Sequence, residues 1–317
     1  MAEFFRFENQ REPPSISNQG HLRSEENLKT QTHQRRGTGS RTKVDGRTPI
    51  PKRNWNSDFL KNEDNKDELF GYISEEITKH GMSGKLLLST KKDAVLSNRP
   101  GYHMSALQPC NHPEADTRII LHLAHAGANG HKKAFVRTVD SDVVILAIRF
   151  FNTLGLSELW IGFAGGKNYR DIPAHEISKD LGPQKSLALP LFHAFTGCDT
   201  TSAFLGHGKK SAWAAWEATP DLTESLVTLT LEPEQINNDV HVQRLERMVV
   251  IMYSKSCGSS RVDEARHHLF SNGTKSLENL PPTQAALIQH IKRALLQASF
   301  YWNQASAVQQ DIPEFSE

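Results

Sequence analysis

The sequence predicts an α/β protein whose mostly parallel sheet lies between two layers of helices. From about residue 55 onwards, strand-like apolar runs alternate with helix-like patterns, which is typical of a sheet covered on both faces. One of these runs, Ala134–Val139, is followed at once by two acidic residues. Open α/β sheets bind their ligands at the carboxyl ends of their strands, so this position supports the same fold class.

The first predicted elements are a helix and a short strand. Residues Asn65–Ile77 place apolar side chains at helical intervals, and Gly81 is expected to end that helix. A strand is expected at Lys85–Thr90, followed by a turn-rich stretch. A second helix is expected over Glu114–Ala126, with its isoleucine and leucine side chains facing the core.

The alternation continues through the centre of the chain. After the strand Ala134–Val139 we expect a helix beyond Asp142, then a strand at Glu158–Phe163 and a helix near Ala174–Leu181. The C-terminal region is predicted to be helical over Val242–Tyr253, Arg261–Phe270 and Pro282–Ala305.

Composition bounds the class of protein without naming a partner. The chain has 317 residues, a formal net charge of +1 and 37% hydrophobic residues, as in an ordinary soluble protein. Its three cysteines are widely spaced, which argues against a disulfide framework and for a reducing compartment. No apolar run reaches transmembrane length and the first residues lack the apolar core of a signal peptide, so we predict an intracellular protein without a membrane partner. Nothing in the sequence fixes the oligomeric state.

Residues 1–54 are expected to form a flexible basic arm. They are rich in polar residues and proline, show almost no apolar periodicity, and carry a basic cluster from Arg35 to Arg53. Such an arm can contact phosphates or serve as a nuclear address, and a solubilising tail is an equally good interpretation. The remainder is expected to divide into one domain at 55–230 and a helical region at 231–317.

The acidic pair after the strand Ala134–Val139 is Asp140 and Asp142. Like charges placed so close together at a buried strand end repel each other, and a bound divalent cation would compensate that repulsion. Alternatively, either aspartate simply caps the following helix. The presence of two acids, with further acids elsewhere, favours the metal interpretation.

Three further acids stand at comparable positions. Glu114 and Asp116 lie in the first turn of a predicted helix, where capping is again the alternative. Asp199 follows Gly197 and Cys198 at the end of an apolar helix.

A basic turn follows Asp199. Gly206 and Gly208 predict a tight turn between two short helical pieces, and Lys209 and Lys210 open the second. Backbone N–H groups at such a turn, with lysines beside them, can bind a phosphate of a nucleic-acid strand. A generic helix C-cap with two solvated lysines is the alternative.

In this order the four motifs resemble the internal nuclease region of the flap endonuclease family of PIN-like 5′ nucleases. The family reads Glu-Ala-Glu-Ala, Asp-x-Asp and Leu-Gly-Cys-Asp, then a helix-hairpin-helix with a Gly-x-Gly turn. The matching stretches here are Glu114-Ala-Asp116, Asp140-Ser-Asp142, Gly197-Cys-Asp199 and Gly206-His-Gly-Lys-Lys210. The resemblance covers about residues 110–220 and implies a three-layer, PIN-like, Rossmann-type fold with a helix-hairpin-helix element.

The resemblance also implies an activity, the metal-dependent hydrolysis of DNA or RNA phosphodiesters. The acids implied to be catalytic and to hold one or two Mg²⁺ or Mn²⁺ ions are Glu114, Asp116, Asp140, Asp142 and Asp199. The turn Gly206–Gly208, with Lys209 and Lys210, would hold the nucleic-acid backbone without reading bases. Arg118 and Arg137 are expected either to contact phosphate or to form structural salt bridges.

Two further features concern origin. The phrases His112-Pro-Glu-Ala-Asp-Thr-Arg118, Phe192-His-Ala-Phe-Thr-Gly-Cys-Asp199 and Leu280-Pro-Pro-Thr-Gln-Ala-Ala-Leu287 resemble animal proteins that occur in many dispersed, mobile-element-like copies. The nuclease family supplies further acids from regions N-terminal to these motifs, whereas residues 27–39 here resemble only the Lys/Arg-rich segment that follows such an acid. We therefore expect an N-terminally truncated copy. The second functional hypothesis is a non-catalytic module that binds nucleic acid or protein.

Overall fold

The computed structural model of the chain describes residues 3–8, 15–18, 39–81, 84–271, 273 and 279–313. Its strands are β1 (Glu3–Glu8), β2 (Ser15–Asn18), β3 (Leu87–Lys91), β4 (Ala94–Ser97), β5 (Lys133–Thr138), β6 (Glu158–Phe163) and β7 (Arg170–Pro173). Its α-helices are α1 (Glu63–His80), α2 (Ala115–Ala128), α3 (Ser141–Phe150), α4 (Ala174–Phe195), α5 (Lys209–Glu217), α6 (Leu222–Leu231), α7 (Asp239–Tyr253), α8 (Val262–Ser271) and α9 (Gln284–Leu295). The α/β class is therefore confirmed.

The sheet is mixed. β3 and β4 form an antiparallel hairpin, while β5 is parallel to β6, and β6 is antiparallel to β7. β1 and β2 pair with each other and join these two pieces in the order β4-β3-β2-β1-β5-β6-β7. Of the six described pairings two are parallel, β2 with β3 and β5 with β6, so a mostly parallel sheet is not confirmed. Short connections permit only antiparallel pairing, which accounts for β1 with β2, β3 with β4 and β6 with β7. β1 is also antiparallel to β5, which is far from it in the chain.

The strand β5 positions the acidic pair. Its alternate residues Ala134, Val136 and Thr138 are buried, and those between them face the other side of the sheet, as a period of two requires. Because Thr138 pairs with Phe163, the carboxyl ends of β5 and β6 lie side by side. The helix α3 begins at Ser141, directly after β5 ends, so its start lies at this sheet edge. The helix α2 packs against α3.

The chain divides into two compact units. The first comprises Met1–Ser178 with Ala305–Asp311, and the second comprises Lys179–Gln304 with Ile312–Glu317. This division differs from the boundary we predicted at residue 230. It falls within α4, near Gly182, whose φ of +73° interrupts the helix because only glycine adopts that conformation readily.

Part of the predicted basic arm is ordered structure. The backbone N–H of Thr42 donates to the Asn65 side chain at 2.8 Å, and that of Val44 donates to Glu68 at 2.8 Å, so this segment lies alongside α1. Val44 is buried against Phe59. The prediction of a flexible arm through residue 54 was therefore wrong for residues 39–54. Arg35 and Arg36 lie outside the described residues.

The predicted helix-hairpin-helix is not formed. A motif of that kind joins two helices by a turn of a few residues, whereas here α4 ends at Phe195, α5 begins at Lys209, and residues 196–208 between them contain no helix. The C-terminal helices, by contrast, lie where the apolar spacing predicted them. The last of them, α9, continues into a π-helical segment at Leu296–Trp302.

Candidate metal centre

Asp140 lies at the junction of β5 and α3 as the N-cap of that helix. Its backbone is extended, and its side-chain oxygen accepts the N–H of Asp142 at 2.9 Å. Its own N–H donates to the Thr138 hydroxyl at 2.9 Å, which fixes the turn out of the strand. The capping interpretation is therefore confirmed for Asp140. It does not exclude a metal, because a carboxylate has a second oxygen and further lone pairs.

Asp142 and Asp116 complete a cluster with Asp140. Asp142 lies in the first turn of α3 and is 2% exposed, and Asp116 lies in the first turn of α2 and is 5% exposed. One oxygen from each of the three carboxylates lies within 4.8 Å of the others. Among the described residues this is the one group of such side chains close enough together to hold an ion. We call it the carboxylate cluster.

Electrostatics decides what the cluster can do. At 4.8 Å a pair of carboxylates repels by about 0.9 kcal/mol in a water-like dielectric and by about 3.5 kcal/mol at an effective dielectric constant near 20. The N-termini of α2 and α3 attract the anions, but each attraction is worth only about 0.3–1 kcal/mol, and about 2 kcal/mol at most. At the effective dielectric constant near 20, the three mutual repulsions exceed what two helix dipoles offset, so a cation among the oxygens would be stabilising.

The other predicted metal ligands are not members of this cluster. Glu114 is the N-cap residue of α2 and is buried, but its side chain makes no capping hydrogen bond and is not one of the three close carboxylates. Asp199 is exposed and belongs to the second unit of the chain. The structure thus brings together three of the five acids that the sequence assigned to the metal.

The two arginines near the acids have structural roles. Arg118 is buried, and its guanidinium donates to the Lys92 carbonyl and to the Cys110 sulfur at 3.3 Å. Burial lowers the pKa of Arg118 from its usual value. The guanidinium of Arg137 donates to three backbone carbonyls at the ends of β5 and β6, which belong to Thr138, Gly162 and Ala164. Apart from the one to the Cys110 sulfur, these hydrogen bonds go to backbone carbonyls, so both guanidiniums hold the backbone in place of the salt bridges that we expected.

At the predicted phosphate site Gly206–Lys210, one of the two lysines is engaged by the protein itself. The ammonium of Lys209 donates to the carbonyls of His193 and Gly197 at 2.5 and 2.6 Å, and to the Thr196 hydroxyl at 2.7 Å. Lys209 therefore caps the C-terminal end of α4, close to the alternative that we weighed. Lys210 is exposed.

The glycines of that turn differ from each other. Gly206 has a φ of +74°, whereas Gly208 is the extended N-cap residue of α5. They form a turn, as expected, but the lysine that was to share the phosphate with them points to α4 instead.

The sequence reasoning missed two residues that build the junction. The Thr138 hydroxyl holds the backbone of Asp140, and a threonine two residues before an aspartate is a local signal for such a turn. Ala164, at the end of β6, has a φ of +61°, which is uncommon for a residue other than glycine. No local pattern in the sequence indicates it, because its conformation is held by Arg137 from the neighbouring strand.

Comparison with known proteins identifies no relative: no family model, no curated protein and no solved structure matches the chain. Within the part of the chain that the structure describes, no helix is both long enough and apolar enough to cross a membrane. The carboxylate cluster and its surroundings are therefore the features that indicate a function.

Proposed function

We propose that the carboxylate cluster binds Mg²⁺ or Mn²⁺ and that the chain hydrolyses nucleic-acid phosphodiesters as a PIN-like, metal-dependent nuclease. One observation carries the proposal, namely the approach of Asp116, Asp140 and Asp142 to within 4.8 Å at the carboxyl end of β5. Oxygen atoms of carboxylates are the ligands that these hard cations prefer. The position matches the place where α/β sheets bind ligands, and the Asp140-Ser-Asp142 spacing matches the resemblance drawn from the sequence.

The roles of the residues follow from their positions. Asp116 and Asp142, both nearly fully buried, would provide the strongest ligands because little water competes for them. Asp140 would bind through an oxygen while its Oδ1 keeps the N–H of Asp142, so the cap fixes the orientation of this ligand. The bound cation would supply an activated water and neutralise charge on the phosphodiester.

A second candidate function is a module that binds nucleic acid or protein without cleaving it. The observation that favours it is the size of the cluster, because the neighbouring acid Glu114 is not among its members. Enzymes that cleave phosphodiesters with two metal ions need ligands for both ions, and three carboxylates are few for that number.

The test has two measurements on the full chain. Isothermal titration with Mn²⁺ should show a binding site in the wild-type protein that is lost in Asp142→Asn and kept in Asp199→Asn. Incubation with Mn²⁺ and labelled single-stranded and branched DNA and RNA should then give cleavage that Asp142→Asn abolishes. Absence of Mn²⁺ binding would overturn the metal proposal. Mn²⁺ binding without cleavage of any substrate would establish the second candidate.

A further inference from the structure

One face of the β5–β6–β7 sheet carries a group of aromatic side chains. Phe135 of β5 and Trp160 of β6 are paired in the parallel register, so both point to the same side. Each is half-buried, whereas Val136 and Ile161, which point to the opposite side, are fully buried. The sheet therefore has a core face and a second, partly solvated face, which we call the aromatic face.

Tyr169 extends this face towards the sheet edge. Its ring lies 5.0 Å from the Arg137 guanidinium, and the side chain is 44% exposed. A Cβ placed on Gly162 would lie 2.5 Å from the Phe135 ring and 2.9 Å from the Tyr169 hydroxyl. Both side chains thus lie over Gly162, and only a residue without a Cβ lets them form one continuous surface.

The aromatic face adjoins the carboxylate cluster. The N–H of Ala164 donates to the Thr138 carbonyl at 3.1 Å, and Arg137 donates to the carbonyls of both residues. These bonds hold the turn that carries Tyr169 against the end of β5. Asp140 follows Thr138 by two residues and is fixed by its hydroxyl, so the same strand end leads to the candidate metal ligands.

The charges on and around this face are mostly positive. The cationic residues are Lys133, Arg137 and Lys167, and the acidic ones are Glu158 and Asp171. Arg170 is paired with Phe163 and lies over its ring, on the opposite face of the sheet. Lys133 is paired with Glu158 at 2.7 Å, and Asp171 accepts the Tyr169 hydroxyl at 2.5 Å. Lys167 is exposed in the turn that precedes Tyr169. A polyanion is the partner that such a balance attracts.

We propose that the aromatic face binds a single-stranded nucleic acid, whose bases stack on Tyr169 and Phe135 and whose backbone phosphate contacts Lys167. Base stacking on exposed aromatic side chains of a sheet, with cations along the backbone path, is a common way to bind single strands. A duplex hides the faces of its bases and would use only the cations. This inference rests on the proposed function, since it names the substrate class that would reach the carboxylate cluster.

The test measures binding in EDTA, so that no metal takes part. Fluorescence anisotropy with labelled oligo-dT and oligo-U of about twelve nucleotides, within the usual span of single-strand sites, should show saturable binding that exceeds binding to a duplex of equal length. Tyr169→Ala should raise Kd about 5- to 100-fold, as expected for loss of one stacked base. Tyr169→Phe keeps the ring and should stay within about twofold of the wild type, because only the contact with Asp171 is lost. Tyr72→Ala, at an equally exposed tyrosine on α1, is the matched control and should not change Kd.

A second variant tests the charges independently of the ring. Lys167→Gln should raise Kd and reduce the slope of log Kd against log salt concentration by about 0.7, the value for one phosphate contact on a single strand. Arg170→Gln, which removes a charge from the opposite face, is the matched control and should leave both unchanged. Absence of saturable binding, equal affinity for duplex and single strand, or an unchanged Kd in both Tyr169→Ala and Lys167→Gln would overturn the proposal.

Failure of this proposal is distinguishable from failure of the proposed function. Binding in EDTA together with no Mn²⁺ uptake in calorimetry would keep the aromatic face and remove the metal site. Mn²⁺ uptake together with no oligonucleotide binding would do the reverse. The DNA and RNA probes together identify which nucleic acid the face prefers.

Discussion

The charge of Asp140 can be removed without removing its helix cap. In the wild type the Asp140 side chain accepts the N–H of Asp142 at 2.9 Å. In Asp140→Asn the amide oxygen can still accept this N–H, because asparagine caps helices as well as aspartate does. In Asp140→Ala both the charge and the cap are lost. The pair of variants therefore separates the two functions that the sequence left open for this residue.

The magnitude follows from the geometry of the carboxylate cluster. Asp140 takes part in two of the three repulsive pairs, each worth about 0.9 kcal/mol or more at 4.8 Å. Neutralising it removes about 2 kcal/mol of repulsion and forfeits about 0.3–1 kcal/mol of attraction to the N-terminus of α3. Without metal, Asp140→Asn should thus be more stable than the wild type by about 1 kcal/mol or more. Asp140→Ala should be close to the wild type, because loss of the cap costs about 1 kcal/mol.

Metal reverses the order of stability. At a Mn²⁺ concentration one hundred times Kd, binding should stabilise the wild type by about 2.7 kcal/mol, and both variants should lose most of that gain. Urea unfolding at pH 8, followed by circular dichroism in EDTA and in Mn²⁺, measures both effects. Asp180→Asn, at an exposed aspartate outside the cluster, removes the same charge and should follow the wild type under both conditions. A destabilised Asp140→Asn in EDTA that still gains as much from Mn²⁺ as the wild type would refute the electrostatic reasoning.

Two further predictions concern stability. Lys209→Met should lower the free energy of unfolding by about 1–3 kcal/mol, because it leaves the carbonyls at the end of α4 without their charged donor. Lys210→Met, at the exposed neighbour, should change it by less than about 0.5 kcal/mol, and equal effects in urea unfolding would contradict the capping role. Burial lowers the pKa of His122 from 6.5 to about 3, so below pH 6.5 the unfolded chain binds a proton that the folded chain does not. His122 should therefore contribute a fall in stability of up to about 1.4 kcal/mol per pH unit between pH 6.5 and 5, measured by urea midpoints, and other buried histidines such as His112 add to it. His122→Gln should reduce the total slope by that amount and the exposed His80→Gln should leave it unchanged; an unaltered slope in His122→Gln would contradict the assignment.

Local sequence patterns predicted the elements better than their arrangement. Apolar spacing placed α1, α2 and the C-terminal helices, and the run Ala134–Val139 gave the strand β5. These patterns did not predict whether neighbouring strands are parallel or antiparallel. That depends on the length of the connections and on which distant strand lies alongside. The prediction of a helix-hairpin-helix was wrong for a related reason. Lys209 donates to carbonyls at the end of α4, and the local sequence around Gly206 does not indicate that contact.

Asp140 and Asp142 illustrate what the sequence by itself determined. Two acids directly after a buried strand must lie at its carboxyl end, and one of them must cap the helix that follows, because free N–H groups at a helix start need acceptors. The presence of Asp116 beside them depended on the packing of α2 against α3, and the exclusion of Glu114 depended on the same packing. Likewise the aromatic face exists only because Phe135 and Trp160 come from neighbouring strands, and because Phe135 and Tyr169 meet over Gly162. Local chemistry fixes what a residue can do, whereas contacts between residues far apart in the chain decide which residues act together.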